Sequence, residues 1–281
     1  MQGRMLVLNA SFEPSVTEQI RLFAGVGFEG FFAGWHPGDP VGEWRKTADE
    51  CGMLFQSLHA PFGGCAEIWK EESPEAEAFV GELAGCVHAC AEHGVPLMVS
   101  HVFKGFYTGM APTRAGLDRF GRVIREAERS GVRIAFENTE GEEFLEAVLR
   151  EFAGERSVGF CWDSGHELCY NGSRDMLALY GEKLLGTHLN DNLGVRSFDG
   201  TITSRDDLHL LPFDGIADWN GIAARLRRTD FRGPLTFEFL RTSKKGRHEN
   251  DAYAALPLEQ YVTQAYMRAC RVAALCGPAK R

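Results

Sequence analysis

The stretch VRIAFENTEGEEFLEAVLREFAGERSVGFCWDSGH (132–166) decides the fold. It begins and ends with short apolar runs, Arg133–Phe136 and Val158–Cys161, of the kind that form buried strands. Between them, residues 143–151 carry apolar side chains at helical spacing. The stretch therefore predicts one strand–helix–strand unit, with Glu137 and Asp163 following its two strands.

The same alternation runs along the whole chain in both directions. Eight apolar runs predict strands at Met5–Asn9, Gly30–Gly34, Leu54–Leu58, Pro96–Ser100, Arg133–Phe136, Val158–Cys161, Leu184–Thr187 and Leu235–Phe239. Eight amphipathic stretches predict helices at about 16–26, 41–51, 74–93, 113–130, 143–151, 173–180, 218–228 and 257–275. Eight such units favour closure into a barrel, and 281 residues suit a fold of typically about 250. We predict an α/β protein, a single (β/α)8 TIM barrel domain over residues 1–281.

Composition and charge narrow the classes of partner. The formal net charge of −9 argues against a nucleic-acid partner, which needs a basic surface. No apolar stretch reaches 18 residues, so we expect no membrane span. Residues 1–15 are typical of a first strand rather than a signal peptide. The eight cysteines include no Cys-x-x-Cys pair, so the sequence does not support a zinc ribbon or a redox dithiol. We expect a cytoplasmic protein with reduced thiols.

Polar residues recur where the predicted strands end. His59, His101 and His188 end or follow three strands, and Glu137, Asp163 and Glu238 lie at the ends of three others. These ends meet on one face of a barrel, where active sites of this fold lie. Converging carboxylates raise each other's pKa, and a divalent cation removes that cost. The sequence therefore predicts a metal site built on Glu137, Asp163, His188 and Glu238.

Further candidates lie beside this quartet. His166 comes three residues after Asp163, and Asn138 adjoins Glu137, whose carboxylate it is expected to orient. In the long connection Asn190–Asp218, the pair Asp207 and His209 has a spacing that points both side chains to one side of an extended segment. A connection of this length is usually functional.

At these residues the chain resembles the xylose isomerase-like barrel superfamily, which includes sugar isomerases and epimerases, inosose dehydratases and endonuclease IV. The matching motifs run in order from about residue 54 to 240: SLHAPF, VSHV, FENTEG, CWDSGH, THLNDN, DLHLLPFDG and TFEF. In the isomerase branch, the resemblance implies one metal ion on Glu137, Asp163, His188 and Glu238, with His166 touching the sugar.

In endonuclease IV the matching set is larger and binds a zinc cluster. The resemblance then implies metal-binding or substrate-binding roles for further residues, namely His59, His101, His166, Asp207 and His209. All of these residue types are present, so a second metal ion and a phosphodiesterase acting on abasic DNA stay open. Two features favour the sugar branch: the run FDGIADW (213–219), and the short early barrel loops, which leave little surface to insert into duplex DNA. The stretch HVFKGFYTGM (101–110) is aromatic where endonuclease IV has a glycine-rich one, which argues against duplex binding.

The sequence thus predicts a divalent-metal-dependent sugar isomerase or epimerase, of ketose or inosose type. Glu137 and Glu238 are the expected acid/base pair, acting through a metal-stabilised enediolate. The oxygen-rich ligand set suits one Mn²⁺, Mg²⁺ or Zn²⁺ ion. We expect a small-molecule sugar substrate, while a dehydratase reaction and a homo-oligomer remain open. Five aromatic residues are candidate walls for a sugar ring: Trp35, Phe62, Trp69, Phe103 and Trp162.

Overall fold

The computed structural model describes residues 4–195 and 201–278 and contains the predicted parallel barrel. Its strands are β1 (Leu6–Asn9), β2 (Gly30–Gly34), β3 (Leu54–His59), β4 (Leu97–His101), β5 (Arg133–Glu137), β6 (Val158–Asp163), β7 (Leu184–His188) and β8 (Leu235–Phe237). Each strand from β1 to β6 pairs in parallel with the next, and β8 pairs with β1. A parallel bridge between Leu189 and Phe237 completes the circuit between β7 and β8. The TIM barrel prediction is confirmed.

Ten helices are described around the barrel. They are α1 (Val16–Val26), α2 (Val41–Cys51), α3 (Pro74–Glu92), α4 (Arg114–Ser130), α5 (Glu142–Glu151), α6 (Ser164–Cys169), α7 (Met176–Tyr180), α8 (Trp219–Arg228), α9 (Asp251–Ala254) and α10 (Leu258–Cys276). Short 3-10 turns occupy Glu67–Trp69 and Gly181–Lys183. None of the described helices is long and apolar enough to cross a membrane.

Two differences from the predicted elements have local causes. The helix expected at 173–180 begins at Met176, because Ser173 has φ of 59°, in the left-handed region that a helix cannot include. The short helix α6 was not predicted. It begins directly after β6 because the Asp163 carboxylate accepts a hydrogen bond from the backbone N–H of His166 at 2.6 Å, as helix-capping residues do.

The strand register decides which side chains share the barrel interior. Alternate residues of a strand point to the same side, so Leu97 and Val99 share a face with His101, and Ala135 shares one with Glu137. Leu97, Val99, Ala135 and Cys161 form a small buried cluster of their own, apart from the main core between strands and helices. The polar residues at the strand ends therefore lie directly above this small apolar cluster in the barrel interior.

Candidate metal centre

The strand ends bring the predicted polar residues together. His59, His101, Glu137, Asp163 and His188 are the last residues of β3 to β7. Glu238 was expected within β8, but this strand ends at Phe237 and Glu238 directly follows it. Parallel strands in register deliver these side chains to one face of the barrel, which is why the sequence could predict their meeting.

The first group consists of His59, His101 and Glu137. The Glu137 Oε2 atom lies 3.3 Å from His59 Nε2 and 3.4 Å from His101 Nε2. Candidate ligand atoms of the three residues lie within 4.8 Å of one another.

The second group consists of Glu137, Asp163, His188 and Glu238, the quartet expected from the sequence. His188 Nδ1 lies 3.2 Å from Glu137 Oε1 and 3.0 Å from Glu238 Oε2. These four residues also offer ligand atoms within 4.8 Å of one another. Glu137 therefore belongs to the first and second groups at once, with one carboxylate oxygen turned towards each.

The third group consists of His166, Asp207 and His209. Asp207 Oδ1 lies 2.9 Å from His209 Nε2 and 3.4 Å from His166 Nε2. Candidate ligand atoms again lie within 4.8 Å. His166 Nδ1 lies 3.3 Å from Glu137 Oε1, so the third group adjoins the other two. All nine residues singled out from the sequence thus meet in one cluster.

Backbone carbonyls orient three of the imidazoles. The Nδ1 atoms of His59, His166 and His209 lie 2.9, 3.0 and 3.3 Å from the carbonyl oxygens of Ala60, Asn138 and Glu238. A carbonyl only accepts, so each Nδ1 carries the hydrogen and donates it. The Nε2 atom of each ring then faces the carboxylates and can become a metal ligand once it gives up its proton. This is the arrangement that metal-binding histidines adopt in proteins.

Contacts between carboxylates and imidazoles stabilise buried charges of the cluster. Burial alone would raise the pKa of Glu137, but the charge of His188 and hydrogen bonds from His101 and His166 hold it well below the usual range. Against the effect of burial, His188 and His209 lower the pKa of Glu238 to about 2. Burial in turn opposes the charged form of His209, yet Asp207 raises the pKa of that imidazole to about 9. Protons on the imidazoles thus offset the buried carboxylates.

Divalent ions would fit this donor set. Imidazole nitrogens and carboxylate oxygens are the ligands that Zn²⁺ and Mn²⁺ take in proteins. Cations would also replace the imidazole protons as the charge that offsets the carboxylates, since metal ligands must be deprotonated. The residues present therefore suit a metal in each of the three groups.

A polar network behind the cluster fixes Asp163. Asn190 Nδ2 donates to Asp163 Oδ2 at 2.8 Å. Asn138, expected to orient the Glu137 carboxylate, instead bonds the backbone of Asp163: its Oδ1 accepts from the N–H at 2.8 Å and its Nδ2 donates to the carbonyl at 2.9 Å. The sequence places Asn138 beside Glu137, but the strand directs its side chain towards β6.

Asp191 holds the connection that carries Asp207 and His209 of the third group. Its buried carboxylate accepts hydrogen bonds from four N–H groups, those of the Asn192, Phe213 and Ala217 backbones and of the Trp219 indole. Its own backbone pairs with Leu210, next to His209. Residues 196–200 of this connection lie outside the described residues. His209 has φ of 47°, so the extended geometry expected for Asp207 and His209 is not what brings them together.

A cavity of about 230 Å³ opens above the cluster. Of the five aromatic residues expected as its walls, only Phe62 lines it, stacked on His101 with ring centroids 4.8 Å apart. The other four pack into the main core. Other lining residues were not predicted, namely Lys104, Phe106, Glu140, Tyr170, Ser204 and Lys244. For Glu140, its position just beyond the end of β5 was an available signal.

Comparison with known proteins agrees with this architecture. The family model described as "Xylose isomerase-like TIM barrel" matches residues 20–258. The "Uncharacterized protein y4fM" of Sinorhizobium fredii (strain NBRC 101917 / NGR234) is 36% identical over 160 residues, which are 53% of this chain and 48% of that protein. A "Probable endonuclease 4" of Methanoculleus marisnigri (strain ATCC 35101 / DSM 1498 / JR1) is 31% identical over 141 residues, 45% of this chain and 47% of that protein. The matches thus span about half the length of these curated relatives.

Solved structures share the fold at low identity. The IOLI protein with a bound zinc atom has a TM-score of 0.74 at 17% identity, over 96% of this chain and 98% of that one. A D-psicose 3-epimerase crystallised in the presence of D-fructose has a TM-score of 0.70 at 14% identity, over 97% and 100%. The motifs, the barrel and the family match over residues 20–258 agree, and the chain belongs to the xylose isomerase-like TIM barrel family.

Proposed function

We propose that this protein is a divalent-metal-dependent hydrolase of phosphate esters that holds more than one metal ion. The observation that carries the proposal is the sharing of Glu137 between the first and second groups, with the third group alongside. A one-metal sugar isomerase would use the second group to hold its metal ion and His166 to touch the sugar. The first and third groups, with their oriented imidazoles, are accounted for if they too bind ions.

Hydrolysis of phosphate esters is the reaction that centres with several divalent ions commonly catalyse. Divalent ions held there would polarise phosphoryl oxygens and lower the pKa of water, as in phosphatases and nucleases. The chain adds two lysines, Lys104 and Lys244, to the cavity lining. Their positive charge would favour an anionic ligand in a protein whose net charge is −9.

Glu140 is the candidate acid for the departing oxygen. It lines the cavity, belongs to none of the three groups, and accepts a hydrogen bond from the Gly105 backbone N–H at 3.0 Å. Burial raises its pKa, so this carboxyl keeps its proton to a higher pH than an exposed glutamate does. A protonated carboxyl facing the ligand can donate to a leaving group.

The size of the cavity points to a small ester. About 230 Å³ is less than the 300–1,000 Å³ typical of pockets for drug-sized ligands. The acidic net charge also disfavours a long nucleic-acid partner. We therefore place a small phosphorylated molecule ahead of abasic DNA as the substrate.

A sugar isomerase or epimerase is the second candidate, because the second group is a complete one-metal site by itself. The Glu238 side chain is 22% exposed and lines the cavity, so it can reach a proton on a bound ketose. Glu137 is 1% exposed and its oxygens face four imidazoles, which leaves it poorly placed as the second base. The two-glutamate mechanism stays a prediction.

Parallel assays of the metal-loaded protein separate the two candidates. We expect hydrolysis of bis(p-nitrophenyl) phosphate or p-nitrophenyl phosphate, falling about 10³-fold when the metal is stripped and returning when it is restored. An oligonucleotide with one abasic site tests the DNA substrate. Incorporation of deuterium from solvent into a ketose, without hydrolysis of any of these esters, would instead establish the isomerase.

A further inference from the structure

Lys244 lies at the edge of the third group. Its Nζ atom is 3.0 Å from Asp207 Oδ2 and 2.9 Å from the carbonyl oxygen of Ser204. The other oxygen of the same carboxylate, Oδ1, faces His166 and His209. One oxygen of Asp207 is thus turned towards the imidazoles and the other towards an ammonium group.

The first and second groups differ in this respect. Within residues 4–195 and 201–278, the ion pairs of Glu137, Asp163 and Glu238 are all with histidines of the cluster. Imidazoles can lose their protons and become ligands when a metal ion arrives. The Lys244 ammonium cannot become a ligand while it is charged, and its side chain is only 25% exposed.

Two physical effects of Lys244 act against a cation in the third group. The ammonium and the metal ion are like charges on one carboxylate, and partial burial leaves their repulsion only partly screened. The hydrogen bond to Oδ2 also withdraws that oxygen from the metal, so Asp207 can offer Oδ1 alone. Even at the dielectric of bulk water, a unit charge about 6 Å from a divalent ion changes the affinity for that ion by about tenfold.

We propose that Lys244 makes the third group a weak and exchangeable metal site, while the first and second groups hold their ions tightly. This rests on the proposed function in one respect, the binding of ions by all three groups. Lys244 acts through Asp207 and is a positioning residue. Occupancy of the third group then follows the free metal concentration while the other two groups stay filled.

The test is a metal titration with matched variants of the whole protein. Zn²⁺ is bound in competition with a chelator of known affinity, and bound metal is counted by elemental analysis at each free concentration. In the wild type, one ion should dissociate at a concentration at which the others remain. Lys244→Met should tighten that ion about tenfold, from the loss of one nearby charge. Lys244→Arg, which keeps the charge, and Lys245→Met, which removes a neighbouring exposed charge, should both match the wild type.

The outcomes separate this inference from the proposed function. If Lys244→Met binds the weak ion no more tightly than Lys245→Met does, or if Lys244→Arg tightens it as well, charge at Lys244 is not the cause and the inference is wrong. A tighter ion in Lys244→Met alone supports the inference even if no phosphate ester is hydrolysed. If every variant binds one ion at saturation, both the multinuclear centre and the inference are overturned. Thermal unfolding in chelator checks that each variant is folded.

Discussion

Glu137→Gln is expected to remove the metal ions of the first and second groups and to lower activity about 10³-fold. The reason is that one carboxylate serves both groups, through Oε2 towards His59 and His101 and through Oε1 towards His188. Glutamine keeps the shape of the side chain but lacks the charge and the second acceptor oxygen. Elemental analysis of the purified variant measures the loss.

Glu140→Gln is the matched control for metal content. Glu140 is a carboxylate three residues further on that lines the same cavity but belongs to none of the ligand groups. This variant should keep the metal content of the wild type. The third group does not use Glu137, so Glu137→Gln should still bind one weak ion. A Glu137→Gln protein with wild-type metal content would show that the carboxylate is not a shared ligand.

Gly165→Ala is expected to loosen the second group without touching a ligand. A Cβ atom at position 165 would lie 1.8 Å from Asn190 Oδ1, far inside contact distance. Asn190 cannot move away freely, because its backbone N–H and carbonyl both bond the Ser164 hydroxyl, at 3.0 and 2.7 Å. The amide would have to turn and release Asp163. We expect a loss of about 2–4 kcal/mol in unfolding free energy and about tenfold in the metal affinity of the second group.

Gly154→Ala is the control for that substitution. Gly154 is exposed, has no atom within 4 Å of an added Cβ, and is not among the glycines with positive φ. Its substitution should change unfolding free energy by less than about 0.5 kcal/mol. Chemical unfolding with and without metal measures both variants. Equal stability and equal metal affinity in the two variants would mean that the Asn190–Asp163 contact is unimportant.

The barrel and the cluster's first members were predictable from the sequence for a physical reason. The carboxyl ends of all strands in a closed parallel barrel lie on one face. The position of a polar residue at a strand end is therefore enough to predict that it lies on that face. His101 and Glu137 even pair in register, as the last residues of neighbouring strands. Small errors in strand ends, such as that of β8, do not move a side chain off this face.

Residues outside the strands were harder to place. Asp207 and His209 reach His166 because Asp191 ties the long connection together, and no local pattern encodes those four hydrogen bonds. Lys244 follows β8 in a basic run typical of a solvated surface, and only the folded chain brings it to Asp207. Four of the five aromatic residues expected as cavity walls lie in the core instead, because large aromatic side chains pack equally well there.

The number of metal ions per chain tests the central claim most directly. Protein dialysed against rising concentrations of free Zn²⁺ or Mn²⁺ is analysed for bound metal, with the chain concentration measured independently. We predict more than one ion per chain at low free metal, approaching three as the third group fills. A content that stays at one ion per chain over the whole range would contradict the multinuclear centre and leave the second group as a one-metal site for sugar chemistry.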